Sequence, residues 1–403
     1  MNKKEIEQTL SLLYSNIKES LFSDKIDYFL SGGFLGKSIF LYEYGRYLDD
    51  DDIIELADDS FEKAYLILED KKYEAGMEFI SGYAGIAWCF QYLVNRDFLE
   101  YDDDFFNLFD QILIEQSRKA KEEKNHDLFY GLLGYGNYFI QRAHFNKDYV
   151  NEQLNEVVDI ILQMSVEEAG GLKWLDHTSS STENEVVNLG MAHGVASIIS
   201  FLSKVYDING SLIAKDAAEK ATKWLLLQKS SEKSSQSYFP NKIDSEINEC
   251  NSRIAWCNGD LGIGYSIYYC GNKINNEVLM DEGLQILKKT SDRKNRENTG
   301  VVDRGLCHGT SGAFHMYNKL VEEFNFIEFT DIRNYWLNRT TEKSKNQIDI
   351  SDFGCWYGII DGKDQFISDS GFLNGYSGIG LALLNYINGD KKIKQNWDEI
   401  LLL

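Results

Sequence analysis

The chain has 403 residues, 43% of them hydrophobic and 13% aromatic, enough to bury a large core. Its formal charge of −23, from 41 Lys and Arg against 64 Asp and Glu, repels nucleic acid and anionic lipid and keeps the surface solvated. No stretch reaches the ~20 apolar residues of a membrane span, and the first residues open an amphipathic helix rather than a secretory segment, so a cytoplasmic protein without direct membrane insertion is expected.

In chain order, Ile6, Leu10, Leu13, Ile17 and Leu21 recur at helical spacing and predict a helix with one apolar face. Gly33-Phe34-Leu35-Gly36 then opens an apolar segment. The alternation continues to the end of the chain. Amphipathic segments fall near 53–69, 104–121, 154–162, 211–228, 276–290 and 328–344. The acidic runs Asp49–Asp52 and Asp102–Asp104 sit at two of their starts, where carboxylates compensate the helix dipole. Between them, apolar segments follow Gly82-Tyr83-Ala84-Gly85, Gly131-Leu132-Leu133-Gly134, Gly194-Val195-Ala196-Ser197, Gly259-Asp260-Leu261-Gly262, Gly309-Thr310-Ser311-Gly312 and Gly375-Tyr376-Ser377-Gly378. The first glycines of the seven copies are 49, 49, 63, 65, 50 and 66 residues apart. One such turn carries no information; seven in order mark internal repetition. Sustained apolar/polar alternation of the strand type is hard to find, and the single proline, Pro240, interrupts almost nothing.

The pattern predicts an all-α chain of seven pairs, each an outer amphipathic helix followed by an inner buried one. Such pairs must bury the end faces of the first and last unit, and closing into a ring does so. We therefore expect an α/α toroid of seven inner and seven outer helices, with residues 1–403 as one domain. The glycines would let the inner helix starts crowd together and aim backbone N–H groups at the ring's mouth. An open solenoid is the alternative. Links into the fourth to seventh inner helices, roughly 167–189, 230–258, 291–308 and 345–374, are long, and long loops in compact domains tend to carry function.

Three of those links end at chemically capable residues. Cys257 and Cys307 each stand two residues before a repeat glycine, and His308 stands one before. Equivalent corners of adjacent repeats are neighbours in a ring, so two thiols and an imidazole converge. That set suits Zn²⁺, and three protein ligands leave the fourth position open for catalysis. The cysteines of a cytoplasmic chain argue for thiols or metal ligands rather than disulfides. His193 directly precedes its own repeat glycine and is either a fourth ligand or a general acid/base. Asp127, four residues before Gly131, orients an imidazole, takes a proton or caps a helix. Arg253 either stabilises a developing oxyanion or is a plain surface arginine. Cys89, Cys250, Cys270 and Cys355 lack the register, and Cys89 and Cys270 read as small core residues. His315, one turn into an inner segment, reads as a packed histidine.

These motifs, over nearly the whole chain, resemble the LanC family of lanthionine synthetase cyclases. Trp256-Cys257-Asn258-Gly259 and Cys307-His308-Gly309-Thr310-Ser311-Gly312 look like its metal-binding signatures, and Met191-Ala192-His193-Gly194 like its catalytic-histidine motif. His126-Asp127 is similar to its catalytic-aspartate segment, and Arg253 matches an arginine ahead of its first cysteine. The resemblance implies one Zn²⁺ per chain on Cys257, Cys307 and His308. It also implies addition of a peptide cysteine to dehydroalanine or dehydrobutyrine, closing a thioether ring in a precursor dehydrated by a separate dehydratase. Attack on the β-carbon creates an enolate, for which Arg253 is the expected partner, and His193, oriented by Asp127, the expected proton source. Asn258 departs from the family, which often carries Tyr or His there; an amide positions or hydrogen-bonds but does not ionise. Rival readings keep the zinc: addition of a small thiol such as glutathione to dehydroamino acids, or a non-catalytic scaffold for a peptide-modification complex.

Overall fold

The structure, a computed structural model, describes residues 3–22, 29–66, 76–177, 185–232, 235–244, 249–344, 348–388 and 395–403. The end of the segment expected near 53–69, and parts of the links 167–189, 230–258 and 345–374, lie outside the described residues. The chain divides into two compact units, Met1–Glu74 with Val301–Asn396, and Ala75–Gly300 with Trp397–Leu403.

The first unit holds helices α1 (Lys3–Ser20), α2 (Phe34–Leu48), α3 (Asp51–Tyr65), α12 (Thr310–Glu322), α13 (Thr330–Thr340) and α14 (Tyr376–Ile387), with strands β5 (Cys355–Ile360) and β6 (Lys363–Ile367). Helix α14 packs on both α12 and α2, so the last inner helix of the chain lies beside the first. Helices α1, α3 and α13 flank α14, α2 and α12 respectively. On α1 the buried residues include Ile6, Leu10, Leu13 and Ile17, the stripe its sequence displays. By contrast α14 buries Tyr376 through Leu384 without a break, as an apolar-all-round helix must.

The second unit holds α4 (Tyr83–Asn95), α5 (Asp103–Glu122), α6 (Leu132–Gln163), α7 (Val195–Asn209), α8 (Leu212–Leu227), α9 (Asp260–Ile274), α10 (Glu277–Ser291) and the short α11 (Arg296–Thr299). Its inner helices pack in chain order, α4 on α6, α6 on α7 and α7 on α9. Inner and outer helices of the third and fourth pairs are fused. Helix α6 runs 32 residues through a kink at Asn146, whose φ of −152° and ψ of 97° leave the helical region. With that division, seven inner and seven outer helical segments stand among the described residues, besides α11.

Four outer helices, those starting at Asp51, Asp103, Leu212 and Glu277, begin on side-chain caps. Asp50 accepts from Ile53 N at 3.3 Å and Asp102 from Phe105 N at 3.0 Å, with Asp51, Asp52, Asp103 and Asp104 in the first turns. Inner helices start on glycine, with no side-chain cap. In four of them the residue after the glycine instead donates its N–H to the carbonyl six residues before the glycine: Tyr83 to Gly76, Leu132 to Asn125, Thr310 to Asp303 and Tyr376 to Asp369, at 2.9–3.1 Å. Those amides are thus consumed by their own loop rather than aimed at a mouth, a difference from the sequence expectation. Among the described residues there are also three short antiparallel pairs that the all-α expectation did not include: β1 (Val166–Glu168) with β2 (Gly171–Lys173), β3 (Val187–Asn188) with β4 (Lys242–Ile243), and β5 with β6. All lie in the long links, and each strand is too short to show a period. No helix among the described residues is long and apolar enough to cross a membrane.

Candidate metal centre and proton-transfer dyad

Each inner helix is entered through a closed loop. In four of them an Asn or Asp six residues before the glycine folds the loop: Asn125, Asn188, Asp303 and Asp369 accept from the N–H two residues on, at 2.7–3.2 Å. The residue two before the glycine then donates to its counterpart in the next repeat. Ile80 bonds to Phe129 O and Ala192 to Cys257 O in the second unit, and Cys307 to Leu373 O and Leu373 to Ser31 O in the first, at 2.8–3.3 Å. This rung is the shared register of Cys257 and Cys307, expressed as backbone hydrogen bonds.

The repeat five loop departs from this, as repeat two does with Gly76, because Arg253 takes the Asn/Asp position. It is also where the helix-capping glycine changes conformation. Gly259 has φ 128°, a region L-residues avoid, while the other caps lie between −96° and −150°. A Cβ on Gly259 would run into the Arg253 carbonyl. Other groups hold this loop. Asp260 accepts from Tyr238 N at 2.6 Å and Phe239 N at 3.0 Å, the Arg293 guanidinium bonds to Ser252 O, and Ile254 N donates to Thr299 O at 2.7 Å. Behind Cys257, the fully buried Trp256 donates Nε1–H to Leu401 O at 2.9 Å.

The ligand atoms of Cys257, Cys307 and His308 all lie within 4.8 Å of one another, Cys257 buried and the other two half-buried. Two thiols and one imidazole are a borderline-soft donor set that fits Zn²⁺.

His193 Nδ1 meets Asp127 Oδ2 at 2.6 Å, and Asp127 Oδ1 accepts from Phe129 N at 2.7 Å and Tyr130 N at 3.0 Å. Asp127 thus shapes its turn and hydrogen-bonds the imidazole; it does not cap the helix, since α6 starts on Gly131 without a side-chain cap. Burial pushes the His193 pKa down. The Asp127 hydrogen bond and charge, with a smaller contribution from Cys257, outweigh it, and the net shift is upward. The Tyr130 ring lies parallel to the imidazole at 6.3 Å, and Phe129 meets it edge-on at 5.8 Å. Arg253 is exposed. The Asn258 side chain packs on Gly190, and its buried amide oxygen has no hydrogen-bond partner among the described residues.

The remaining thiols and imidazoles are structural in setting. Burial raises the pKa of Cys89 and Cys270, and Cys355 is pushed up to about 12 by burial. His126 is buried and lowered to about 4, and His315 is fully buried on α12. Sequence reasoning missed Asp303, Asp260, Arg293 and Tyr130. The Asn or Asp six residues before the glycine in those four loops was legible; the partners of Asp260 and Arg293, far away in sequence, were not.

The lanthionine synthetase C-like protein model matches residues 24–402. The chain belongs to the lanthionine synthetase C-like family. No curated protein matches this lanthionine synthetase C-like chain in sequence. Among solved structures it is similar to nisin cyclase, with TM-score 0.74 and 20% identity, over 99% of this chain and 97% of that one. That likeness shows the fold, an α/α toroid. Two others are more distant. A possible member of the GH105 family from Salmonella enterica serovar Paratyphi A has TM-score 0.49 and 11% identity, over 96% and 95% of the two chains. A sugar epimerase from a ruminal bacterium has TM-score 0.46 and 11% identity, over 98% and 100%.

Proposed function

We propose that this chain is a zinc-dependent peptide cyclase, adding substrate cysteine thiols to dehydroalanine or dehydrobutyrine to form lanthionine and methyllanthionine rings. The observation that carries the reading is the grouping of Cys257, Cys307 and His308 within 4.8 Å. The family membership and the likeness to nisin cyclase support it. The three residues would hold one Zn²⁺ per chain with one position open. Bound there, zinc would lower the pKa of an incoming thiol so that it is a thiolate at neutral pH.

The other steps fall to this chain's side chains. When sulfur attacks the β-carbon, the double-bond electrons move toward the α-carbon and its carbonyl, and an enolate forms. Arg253 supplies a permanent positive charge for that oxygen. It occupies the turn position that Asn or Asp fills in four other repeats, which favours a role other than turn-making. With Nδ1 engaged by Asp127, Nε2–H of His193 is the group that protonates the α-carbon. The neutral ring then recovers the proton that the substrate thiol gave up, so the S–H hydrogen ends on carbon and no co-reactant is consumed. A peptide carrying dehydro residues implies a separate dehydratase, and the proposed setting is a single-domain enzyme in the cytoplasm.

The test is elemental analysis of the purified protein, followed by incubation with a dehydrated, Cys-containing peptide and counting of free thiols. Zinc at one per chain and thiol loss without a mass change are expected. Cys257→Ala or Cys307→Ala should abolish both; full cyclisation by either metal-free variant would refute the metal's role. Glutathione in a parallel arm separates ring closure from addition of a small thiol.

A further inference from the structure

The first unit carries an element that the chemistry above leaves unused. Strands β5 and β6 form a two-stranded hairpin whose base is buried, with Phe353 and Cys355 inside, and whose tip is not. Tyr357, Ile359, Ile360, Phe366 and Ile367 are 49–68% exposed. The register pairs Trp356 with Phe366 and Ile360 with Lys363, so Ile359 and Phe366 share one face while Ile360 and Ile367 share the other. An isolated two-stranded ribbon is marginal in water, and one apolar on both faces calls for a covering partner.

The hairpin is fastened to the loop that presents Cys307 and His308. Asp303 Oδ1 accepts from Gly305 N at 3.0 Å and shapes that loop, while its Oδ2 accepts from Trp356 N at 3.0 Å. The Trp356 N–H therefore points away from β6, and the outer edge of β5 is turned to the Asp303 loop. A bulge at Tyr357–Gly358 interrupts β5 further. The outer edge of β6 pairs with no strand among the described residues. A cleft of about 210 Å³ joins the two elements, lined by Asp303, Arg304, Gly354 and Phe366 among others. The segment 348–369 holds five aspartates against one lysine, on a chain of charge −23.

We propose that this hairpin docks the peptide substrate: an extended segment bearing apolar and basic side chains adds along the free edge of β6 and covers the exposed apolar residues. Backbone pairing supplies affinity without demanding one sequence, and the acidic surround selects against acidic peptides. Continuity with the Cys307 loop makes the substrate the committed occupant, ahead of a second copy of the chain. The proposal rests on the peptide cyclase reading above.

The test compares wild type with the triple variant I359S/I360S/F366S. Two synthetic dehydrated peptides are used, each with one Cys and one dehydroalanine, one flanked by Leu and Lys and its twin with Glu for Lys. For the Lys peptide the variant should raise KM about tenfold, with kcat and zinc content unchanged. The twin should already be a poor substrate of wild type, and a minimal peptide holding only the ring-forming pair should be indifferent to the substitutions. On the unsubstituted protein, adding the Lys peptide should slow amide exchange at Lys363–Ile367, which is read without relying on the variant's folding. Unchanged KM together with unchanged exchange would overturn docking while leaving ring closure standing. A wild-type dimer that the variant loses, with KM unmoved, would assign the hairpin to a second copy and also overturn it. No ring closure by wild type would remove the underlying reading and this proposal with it.

Discussion

Asp127 divides its two carboxylate oxygens between two jobs: Oδ1 ties down two backbone amides, and Oδ2 takes the His193 Nδ1–H. Asp127→Asn keeps an oxygen for the turn but turns an NH₂ toward the imidazole, so it separates the jobs. Unfolding midpoint and zinc content should barely move, while kcat falls tenfold or more, in the range of lost acid–base assistance (~10²–10⁴). Since Asp127 raises the His193 pKa, the imidazolium should survive to higher pH in the wild type. Activity limited by that proton declines as pH rises through the pKa, and the decline should move to lower pH in the variant. A pH–rate profile of kcat reads the shift; an unmoved limb would show that His193 is not the donor. His193→Ala should retain zinc and lose turnover, and loss of metal would instead make His193 a ligand. The pairing of Asp127 with His193 rested on resemblance at the level of sequence, because the two lie 66 positions apart and nothing local connects them.

At the level of elements, glycine does two different things. In the second glycine of the repeat, a Cβ on Gly312 would run into Leu306 O and one on Gly378 into Phe372 O, both backbone atoms that cannot step aside. Gly210, at the end of α7, has φ 72° with nothing within 4 Å of a would-be Cβ. Gly312→Ala should therefore cost about 3 kcal/mol or more, as overpacking against backbone does, and Gly210→Ala about 1 kcal/mol, the cost of a left-handed backbone. Urea unfolding of the two variants checks the ranking, and equal costs would contradict the close-approach account. These helices were readable from sequence because their signals are local: a glycine start, an apolar run, an aspartate cap. The fused α6 was split correctly by its hydrophobic pattern, yet the absence of a loop at Asn146 had no signal, since a single non-helical residue turns the chain there. The hairpins escaped because three- to six-residue strands in polar links show no period.

The molecule as a whole stores titratable pairs whose effects on stability run in opposite senses. Burial opposes charge on His144, but its hydrogen bond to Glu399, at 2.8 Å, wins and raises the pKa. The folded protein then holds that proton more tightly than the unfolded chain. The contribution is complete below the free value of 6.5 and fades as pH rises through the folded value. For Glu399 burial raises the pKa, yet Lys204 and His144 together lower it, so its contribution is complete above 4.5 and fades as pH falls through the folded value. His126 runs the other way: held neutral by burial with a pKa of about 4, it withdraws stability as pH falls from 6.5. Thermal unfolding should show His144→Asn destabilising at pH 6 and nearly silent at pH 9. A cost that persists at pH 9 would mean that packing, not charge, explains the contact. The register of seven glycines made the inner and outer layers of the fold legible; these buried charges, paired across 255 positions in one case, were beyond it.

The central claim is that Cys257, Cys307 and His308 hold one zinc with a vertex open to substrate sulfur. X-ray absorption at the zinc edge of the purified protein, before and after adding a Cys-containing dehydrated peptide, addresses it most directly. The expected first shell is two sulfurs, one imidazole nitrogen and one light atom, with a third sulfur replacing the light atom when peptide is added. A protein without zinc, or a shell with four protein ligands that the peptide leaves unchanged, would contradict it.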